Sequence, residues 1–317
     1  MTRTDPGTRD GSTILGFAAI ATAAFGWAVA AVVARRLFDD GVEPFELSAA
    51  RSVIAALGLS FIFLRPNHIR RPVPAARIVV LGLSIALVNL VYYLAIERLS
   101  VAIALVLQYT APVLVVTWTA LARRQTPSRD ITIALLSAVA GVALVVELIG
   151  GEIDSLSVAG LAFGFASAIF FACYSLLAES VGRTYGAVGA MARAFAIAAA
   201  FWILFQIPRG WPDELFTTSN VPRVLFVGVA GTLAPFLLYV WGIGRVRAER
   251  ATITATLEPV FAAGAAWLWL NQSLTPTQIV GGLLVLGAVC VLQLRAGSDS
   301  EQVRADTGPR GTAELER

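Results

Sequence analysis

Residues 255–270 read ATLEPVFAAGAAWLWL, a run in which Glu258 and Pro259 interrupt side chains that are otherwise apolar or small. A charged group at the centre of a membrane helix costs about 2.5–3.5 kcal/mol on insertion scales, so it is expected to face a partner or a wet cavity. Proline lacks a backbone N–H and kinks a helix. The stretch therefore predicts a bent membrane span with a carboxylate at the bend.

The whole chain has the composition of a membrane protein. Of its 317 residues, 57% are hydrophobic and 14% are charged, whereas soluble domains carry about 25% charged residues. All 24 basic residues are arginine. They form no clustered basic stripe, which argues against nucleic acid as a partner. Cys173 and Cys290 lie in apolar runs and form no metal-ligand or disulfide pattern.

Apolar windows recur along the chain, separated by short loops rich in arginine, proline or glycine. A window of about 20 residues can cross the hydrocarbon core as a helix. The first window is uncharged over 21 residues, which favours a retained span over a cleaved signal peptide, whose apolar region has roughly 7–15 residues. We predict an all-α integral membrane protein with ten transmembrane helices. The predicted spans are 14–34, 45–64, 78–97, 100–121, 131–149, 157–178, 188–207, 223–243, 251–270 and 277–294.

Arginines are distributed unevenly between the two sides of these spans. The loops after spans two, four, six and eight hold eleven arginines, and the other loops hold five. Arginine is enriched in cytoplasmic loops. Both termini are therefore expected in the cytoplasm, in a multi-pass protein of the cell's inner or plasma membrane. The tails, 1–13 and 295–317, are polar and are predicted to be disordered.

Glycine, tyrosine and proline recur at matching intervals in the two halves of the chain. The tyrosine follows the glycine by 11 residues in both halves, and the proline follows it by 30 or 31. These residues are Gly82, Tyr93 and Pro112 in the first half and Gly228, Tyr239 and Pro259 in the second. Arg51 and Arg193, inside spans two and seven, also take equivalent places. The chain is thus predicted to contain two five-span repeats, 14–149 and 157–294.

An odd number of spans per repeat has a consequence for topology. The second repeat must enter the membrane from the opposite side to the first. Inverted repeats of this kind are common in secondary transporters, whose substrate site lies near the bilayer midplane between the repeats. The pattern therefore favours transport, by rocking of two halves, over enzymatic function.

Two segments resemble a known family. They are LEPVFAAGAAWLWLNQSLTPTQIVGGLLVLGAVCVL from Leu257 and its weaker counterpart APVLVVTWTALARRQTPSRDITIALLSAVAGVALVV from Ala111. Together with ten spans in two halves, they resemble the EamA-type transporters of the drug/metabolite transporter superfamily, over about 14–294. The resemblance implies transport of small metabolites, often export of amino acids or drugs. Family members commonly carry a glutamate where this chain has Asn271, so no role is carried over to that position.

The sequence contains few groups that could perform catalysis. No aspartate falls inside a predicted span, and the single histidine, His68, lies in a loop. A two-histidine metal site and a Ser-His-Asp triad are thereby excluded, and no phosphate-binding GxxxxGK[ST] loop is present. We expect no enzyme activity, no cofactor and no metal.

Three charged residues lie well inside spans and have two interpretations each. Arg51 and Arg193 could bind a substrate carboxylate or phosphate, or could serve packing by pairing with an acid or extending to the interface. Burial favours the protonated form of a carboxylic acid, so Glu258 could carry a coupling proton. Alternatively, it could form a salt bridge with Arg51 or Arg193. Its counterpart in the first repeat is Ala111.

Further cavity candidates come from the prolines, amides and aromatic rings. Pro112 and Pro259 are expected to kink spans four and nine, either at walls of the site or in packing helices. Gln108 and Asn89 place amides inside spans. The aromatic candidates, which could instead face lipid or the core, are Trp27, Tyr92, Tyr93, Phe171, Tyr174, Tyr239 and Trp241.

We therefore predict a secondary transporter that exports small organic metabolites by alternating access. Its expected partners are a small-molecule substrate, the lipid bilayer and, as a candidate coupling ion, the proton. An uncoupled channel-like facilitator and an intramembrane lipid-modifying enzyme are the alternatives.

Overall fold

The computed structural model describes residues 7–62, 73–99, 101–124, 126–145, 157–210, 212–270 and 275–306. Every regular element in these ranges is helical, which confirms the all-α prediction. The α-helices are α1 (Gly7–Asp39), α2 (Pro44–Ile62), α3 (Ala75–Arg98), α4 (Val101–Gln108), α5 (Ala111–Arg123), α6 (Arg129–Val145), α7 (Val158–Gln206), α8 (Val221–Gly228), α9 (Ala234–Val246), α10 (Ala248–Ala255), α11 (Leu257–Leu270) and α12 (Pro276–Asp306).

Five helical stretches among the described residues are long and apolar enough to cross a membrane. They are Gly11–Asp39, Ala75–Arg98, Ala104–Ala122, Val158–Arg209 and Val221–Val246. The fourth stretch has 52 residues and is interrupted at Gly186, where φ is 70° and ψ is 170°. Glycine adopts this positive φ readily because it has no Cβ.

The first and last helices extend further toward the chain termini than the predicted spans do. Helix α1 begins at Gly7 and α12 extends to Asp306. Both helices thus run into the tails that the sequence predicts to be disordered. Extending an existing helix adds a hydrogen bond per residue without a new nucleation step, so a polar segment can continue it.

Two helix breaks precede prolines. Helices α4 and α5 are separated by a turn at Tyr109 and Thr110, and α10 and α11 are separated at Thr256. In each break the threonine hydroxyl donates to a backbone carbonyl three residues earlier, at 2.6 Å in both cases. The same carbonyls, of Leu107 and Ile253, also accept the backbone N–H of these threonines, at 3.1 and 3.2 Å. The two breaks therefore have the same local hydrogen-bond pattern.

A third irregularity lies between α8 and α9. Residues Val229–Leu233 form a π-helical turn, and Pro235 follows two residues later. Because Pro235 has no N–H, it cannot donate to the carbonyl four residues earlier, which belongs to Gly231. That carbonyl is therefore available to another donor. The Thr232 hydroxyl turns back and donates to the Val227 carbonyl at 2.8 Å.

Glycines allow helices of the two sequence halves to approach each other closely. A Cβ added at Gly82 of α3 would lie 2.6 Å from the Cβ of Ile197 in α7. A Cβ added at Gly228 of α8 would lie 2.6 Å from the Cδ1 of Ile54 in α2. Both distances are too short for real atoms, so glycine is required for the observed helix separation.

The first helix of each half makes a similar contact. A Cβ added at Gly16 of α1 would lie 2.8 Å from the Cβ of Arg245 at the end of α9. A Cβ added at Gly160 of α7 would lie 2.7 Å from the Cγ of Leu99, which follows α3. Each half therefore packs its first helix against the third helical segment of the other half.

Helices α6 and α12 pack through Gly141 and Gly281. A Cβ at Gly141 would lie 2.7 Å from the Gly281 carbonyl oxygen, and a Cβ at Gly281 would lie 2.6 Å from the Val145 nitrogen. Backbone atoms cannot move aside as a flexible side chain can. This contact is therefore the most sensitive helix crossing to an added methyl group.

We expect Gly141→Ala to destabilise the protein, because overpacking of a helix contact typically costs about 1–3 kcal/mol. Gly287→Ala in α12 is the matched control, since nothing lies within 4 Å of the added Cβ. The control should be neutral or slightly stabilising, because alanine favours a helix more than glycine does. Thermal unfolding of the detergent-solubilised variants measures the difference. Equal midpoints for the two variants would contradict the close packing of α6 on α12.

Candidate functional site

A cavity lies among α1, α2, α3, α4, α7, the π turn, α9 and α11. The space between its walls that atoms do not occupy is about 560 Å³, which includes space open to the outside. Nine of the sequence-predicted site residues line it: Trp27, Arg51, Asn89, Tyr92, Tyr93, Gln108, Phe171, Tyr174 and Glu258. The remaining lining residues are Ala30, Ala31, Val88, Gly231 and Phe236. The structure thus brings together residues from both halves of the sequence.

Arg51 is the charged group that joins the walls of this cavity. It is 4% exposed, and its guanidinium donates hydrogen bonds to four residues. The acceptors are Thr232 Oγ1 at 2.7 Å, Asn89 Oδ1 at 2.9 Å, Tyr93 OH at 2.7 Å and the Gly231 carbonyl at 3.1 Å. The Arg51 side chain therefore links α2 to α3 and to the π turn.

The hydrogen-bond acceptors of Arg51 also determine the charge on this side of the cavity. All four acceptors are neutral. They satisfy the N–H groups, and no carboxylate of the described residues lies in direct contact with the positive charge. A buried guanidinium in this state attracts an anionic group and can bind a carboxylate through parallel N–H donors. Arg51 accordingly gives the cavity a cationic side.

Glu258 lies at the break between α10 and α11 and is 7% exposed. Its Oε2 accepts a hydrogen bond from the Tyr109 hydroxyl at 2.6 Å, and Tyr109 lies in the break between α4 and α5. The two proline-associated breaks are therefore in contact through these side chains. Over the described residues, no salt bridge joins Glu258 to Arg51 or Arg193, which was one of the two interpretations of this carboxyl group. Tyr109 fills that place.

Aromatic rings form the cavity wall on the side of α1, α7 and α9. Trp27 is the central ring, with centroids 6.4 Å from Phe171, 5.5 Å from Phe236 and 5.3 Å from Tyr239. Tyr239 packs behind the wall, and its hydroxyl lies 3.1 Å from the Ser175 hydroxyl. The rings provide flat apolar surfaces suited to aromatic or cationic groups of a ligand.

Several polar atoms around the cavity have no protein partner in the part of the chain that the structure describes. They are Trp27 Nε1, Tyr92 OH, Gln108 Oε1 and Tyr174 OH. A buried polar group without a partner costs about 1–3 kcal/mol. Such groups favour a polar molecule in the cavity, because its donors and acceptors can satisfy them.

Three predicted cavity residues do not line the cavity: Tyr239, which packs behind the aromatic wall, Arg193 and Trp241. The Arg193 guanidinium is 4.1 Å from the centroid of the Tyr185 ring, and Arg193 donates to the Gly189 carbonyl at 2.9 Å. The break at Gly186 places Tyr185 beside Arg193, so this arginine turns to the end of its helix segment instead of the cavity. Trp241 packs against Arg245, with a guanidinium-to-ring distance of 3.2 Å. Asn271, His68 and Trp211 lie outside the described residues.

Sequence reasoning missed two cavity features. Tyr109 stands in the QYTAP segment directly before the predicted kink, and its position beside a proline break was the available signal. Thr232 and Gly231 belong to the GTLAP segment, where a proline again predicts a free carbonyl.

We expect Tyr109→Phe to destabilise the folded protein by about 1–3 kcal/mol, because it leaves the buried Glu258 carboxyl group without its donor. Tyr174→Phe is the matched control, since Tyr174 is equally buried but its hydroxyl lacks a protein partner among the described residues. Thermal unfolding in detergent compares the two. A larger effect of Tyr174→Phe would contradict the Tyr109–Glu258 contact.

Known proteins resemble this chain over most of its length. The model of the EamA-like transporter family matches it twice, over residues 14–147 and 158–294. The uncharacterized inner membrane transporter YicL of Salmonella typhimurium is 28% identical over 291 residues, which cover 90% of this chain and 97% of YicL. The threonine/homoserine exporter RhtA of Escherichia coli strain K12 is 26% identical over 208 residues, 66% of each chain.

A protein of known crystal structure, 20% identical in sequence, superposes with a TM-score of 0.71 over 91% of this chain and 99% of its own. This similarity shows a shared fold. The two family-model matches together span most of the sequence and agree with the resemblance carried by the LEP segment. The protein belongs to the EamA-like transporter family and is a multi-pass membrane transporter.

Proposed function

We propose that this protein is a secondary transporter that exports small organic metabolites by alternating access through the central cavity. One observation carries the proposal. The cavity is lined by residues from both segments that match the transporter family, and it contains a buried cation, Arg51, and a buried carboxyl group, Glu258. A site shared by two halves can open to either side as the halves rock.

The proposal includes ten membrane spans in two inverted repeats. The helices accommodate this number when α4 with α5, α8 with α9 and α10 with α11 each form one span, and when α7 forms two spans on either side of Gly186. Reciprocal packing supports the inversion. The contact of Gly82 with α7 corresponds to that of Gly228 with α2. The contact of Gly16 with the end of α9 corresponds to that of Gly160 with the residue that follows α3.

Alternating access requires contacts that can break and re-form at the ends of the cavity. Asp40, after α1, accepts from Arg223 in α8, which joins the two halves. Glu43 pairs with Arg209 at 3.2 Å nearby. Exposed ion pairs of this kind contribute about 0–1 kcal/mol each, so they can separate at little cost. With the termini in the cytoplasm, as the arginine distribution favours, these pairs lie on the outer side.

At the opposite end, Glu179 of α7 joins the turn between α9 and α10. It accepts from Arg183 and from the Ala248 backbone N–H at 2.9 Å. Arg247, whose φ is 74°, lies 3.9 Å away. Glu179 is 8% exposed, so its carboxylate is less accessible than those of Asp40 and Glu43 in the outer pairs. We assign it to closure of the cavity on the cytoplasmic side.

The cavity chemistry fits amino acids and related solutes. A carboxylate would bind near Arg51, an ammonium group near Glu258 or the Trp27 face, and a side chain against the aromatic wall. RhtA, which is similar over 66% of this chain, is named as an exporter of threonine and homoserine. That relationship supports an amino-acid cargo for this protein and the outward direction.

We expect Ala31→Phe to abolish export, because a phenyl group at this cavity-lining position would fill the site. Val32→Phe, on the exposed face of the same helix, is the matched control. The measurement is amino-acid release into the medium by cells that produce each variant, compared with cells that lack the protein. Normal release by Ala31→Phe, with both variants folded in detergent, would contradict transport through this cavity. Release that does not saturate with cytoplasmic substrate would instead indicate a channel-like facilitator.

We expect Glu258→Gln to lose transport driven by a pH gradient and to retain exchange of labelled for unlabelled substrate. The glutamine side chain keeps an acceptor for Tyr109 but cannot take up or release a proton. Proteoliposomes with the exported substrate separate the two activities. Full pH-driven uptake by Glu258→Gln would show that the proton does not pass through this residue.

A further inference from the structure

A second cavity, here called the lateral pocket, lies between α2, the end of α7, the turns that follow it, and α8. The space between its walls that atoms do not occupy is about 1270 Å³, which includes space open to the outside. Ala49, Ala50, Val53 and Ile54 form the α2 wall, and Trp202 of α7 faces them. Among the described residues of the lining, the polar side chains are the Trp202 indole, Glu46 and Gln206.

The lateral pocket is continuous with the apolar outer surface of the helices. Ile207 and Phe216 line it and are 71% and 65% exposed. Ile203 and Leu225 also line it and are exposed. In a membrane protein, large exposed apolar side chains on spanning helices contact lipid hydrocarbon. The pocket therefore opens to the bilayer.

The shape and chemistry of the pocket select a particular kind of molecule. The small side chains of Ala49 and Ala50 create the space, and Trp202, which is 0% exposed, closes the inner end. Apolar walls disfavour water, since a bound water molecule needs two to four polar partners. A narrow, flexible hydrocarbon chain satisfies these walls and is the main component of the adjoining bilayer.

A cationic side chain lies where a lipid headgroup would be. Helix α7 ends at Gln206 and the following turn ends at Arg209. The Arg209 guanidinium lies 5.0 Å from the ring centroid of Phe45 and 5.5 Å from that of Phe205, and it also bonds to Glu43. An arginine held at a helix end by aromatic rings is placed at the membrane interface, where it can bind a phosphate.

We propose that the lateral pocket binds one acyl chain of a bilayer phospholipid, whose phosphate lies at Arg209. Helix α2 forms a wall of both cavities, because Ala50 faces the lateral pocket and the adjacent Arg51 lines the central cavity. The bound chain would therefore support the helix that carries Arg51. This inference does not depend on the proposed cargo or direction of transport.

The test is quenching of tryptophan fluorescence by phospholipids brominated near the carbonyl end of the acyl chain. Bromine quenches tryptophan fluorescence only at short range. The emission of Trp202 is obtained as the difference between the reconstituted wild-type protein and Trp202→Phe. We expect brominated lipid to remove most of this difference, although Trp202 is fully buried from the surface. An unchanged difference would overturn the proposal.

Filling the pocket provides a second, independent comparison. Ala50→Phe should protect Trp202 from quenching, because the added ring occupies the space of the acyl chain. Leu57→Phe, at an exposed position of the same helix, is the matched control and should leave quenching as in the wild type. Equal quenching in the two variants would mean that the lipid does not enter the pocket.

Native mass spectrometry keeps the proposal testable if Trp202→Phe does not fold. The wild-type protein should retain one more phospholipid than Ala50→Phe under the same activation energy. Retention of the same number by both would overturn the proposal. Neither readout measures transport, so a negative result would refute lipid binding without bearing on the proposed function.

Discussion

The hydrogen bonds of Arg51 are the interaction on which the arrangement of this protein depends. A guanidinium inside a membrane must have its N–H groups satisfied, and four acceptors converge on this one. One of them, the Gly231 carbonyl, is free because Pro235 cannot donate to it. The proline in one half of the sequence therefore creates the acceptor that an arginine in the other half requires. The Arg51 contacts position α2, α3 and the π turn around a common cavity.

The two other proline-associated breaks give the cavity its second polar side. At both breaks a threonine donates its hydroxyl and its backbone N–H to the carbonyl three residues earlier, so the two breaks share one hydrogen-bond pattern. Glu258 appears at only one break, and it bonds to Tyr109 at the other. The carboxyl group that only the second repeat carries thus connects the two corresponding helix breaks. It also leaves the cavity with a cation and an acid in separate places, a combination suited to a solute with both charges.

Hydropathy and repeat spacing predicted much of this structure because they depend on depth in the membrane. Gly82 and Gly228 were aligned from spacing alone, and both prove to be close helix contacts. Sequence position does not fix how a helix is rotated about its axis. Arg51 and Arg193 occupy equivalent places in the repeats. The helix break at Gly186, however, places Tyr185 beside Arg193, and Arg193 does not line the cavity. The Tyr109–Glu258 contact joins residues 149 positions apart, so no local pattern could predict it.

The central claim is that Arg51, and not its counterpart Arg193, holds the two halves together at the cavity. The most direct test compares the thermal unfolding of Arg51→Lys with that of Arg193→Lys in the same detergent. A lysine cannot reproduce the planar donor geometry of Arg51, and each hydrogen bond to a charged group contributes about 1.5–3 kcal/mol. We predict a clearly lower unfolding midpoint for Arg51→Lys and a small change for Arg193→Lys, where lysine can extend toward the interface. Equal midpoints, or a larger loss for Arg193→Lys, would contradict this account.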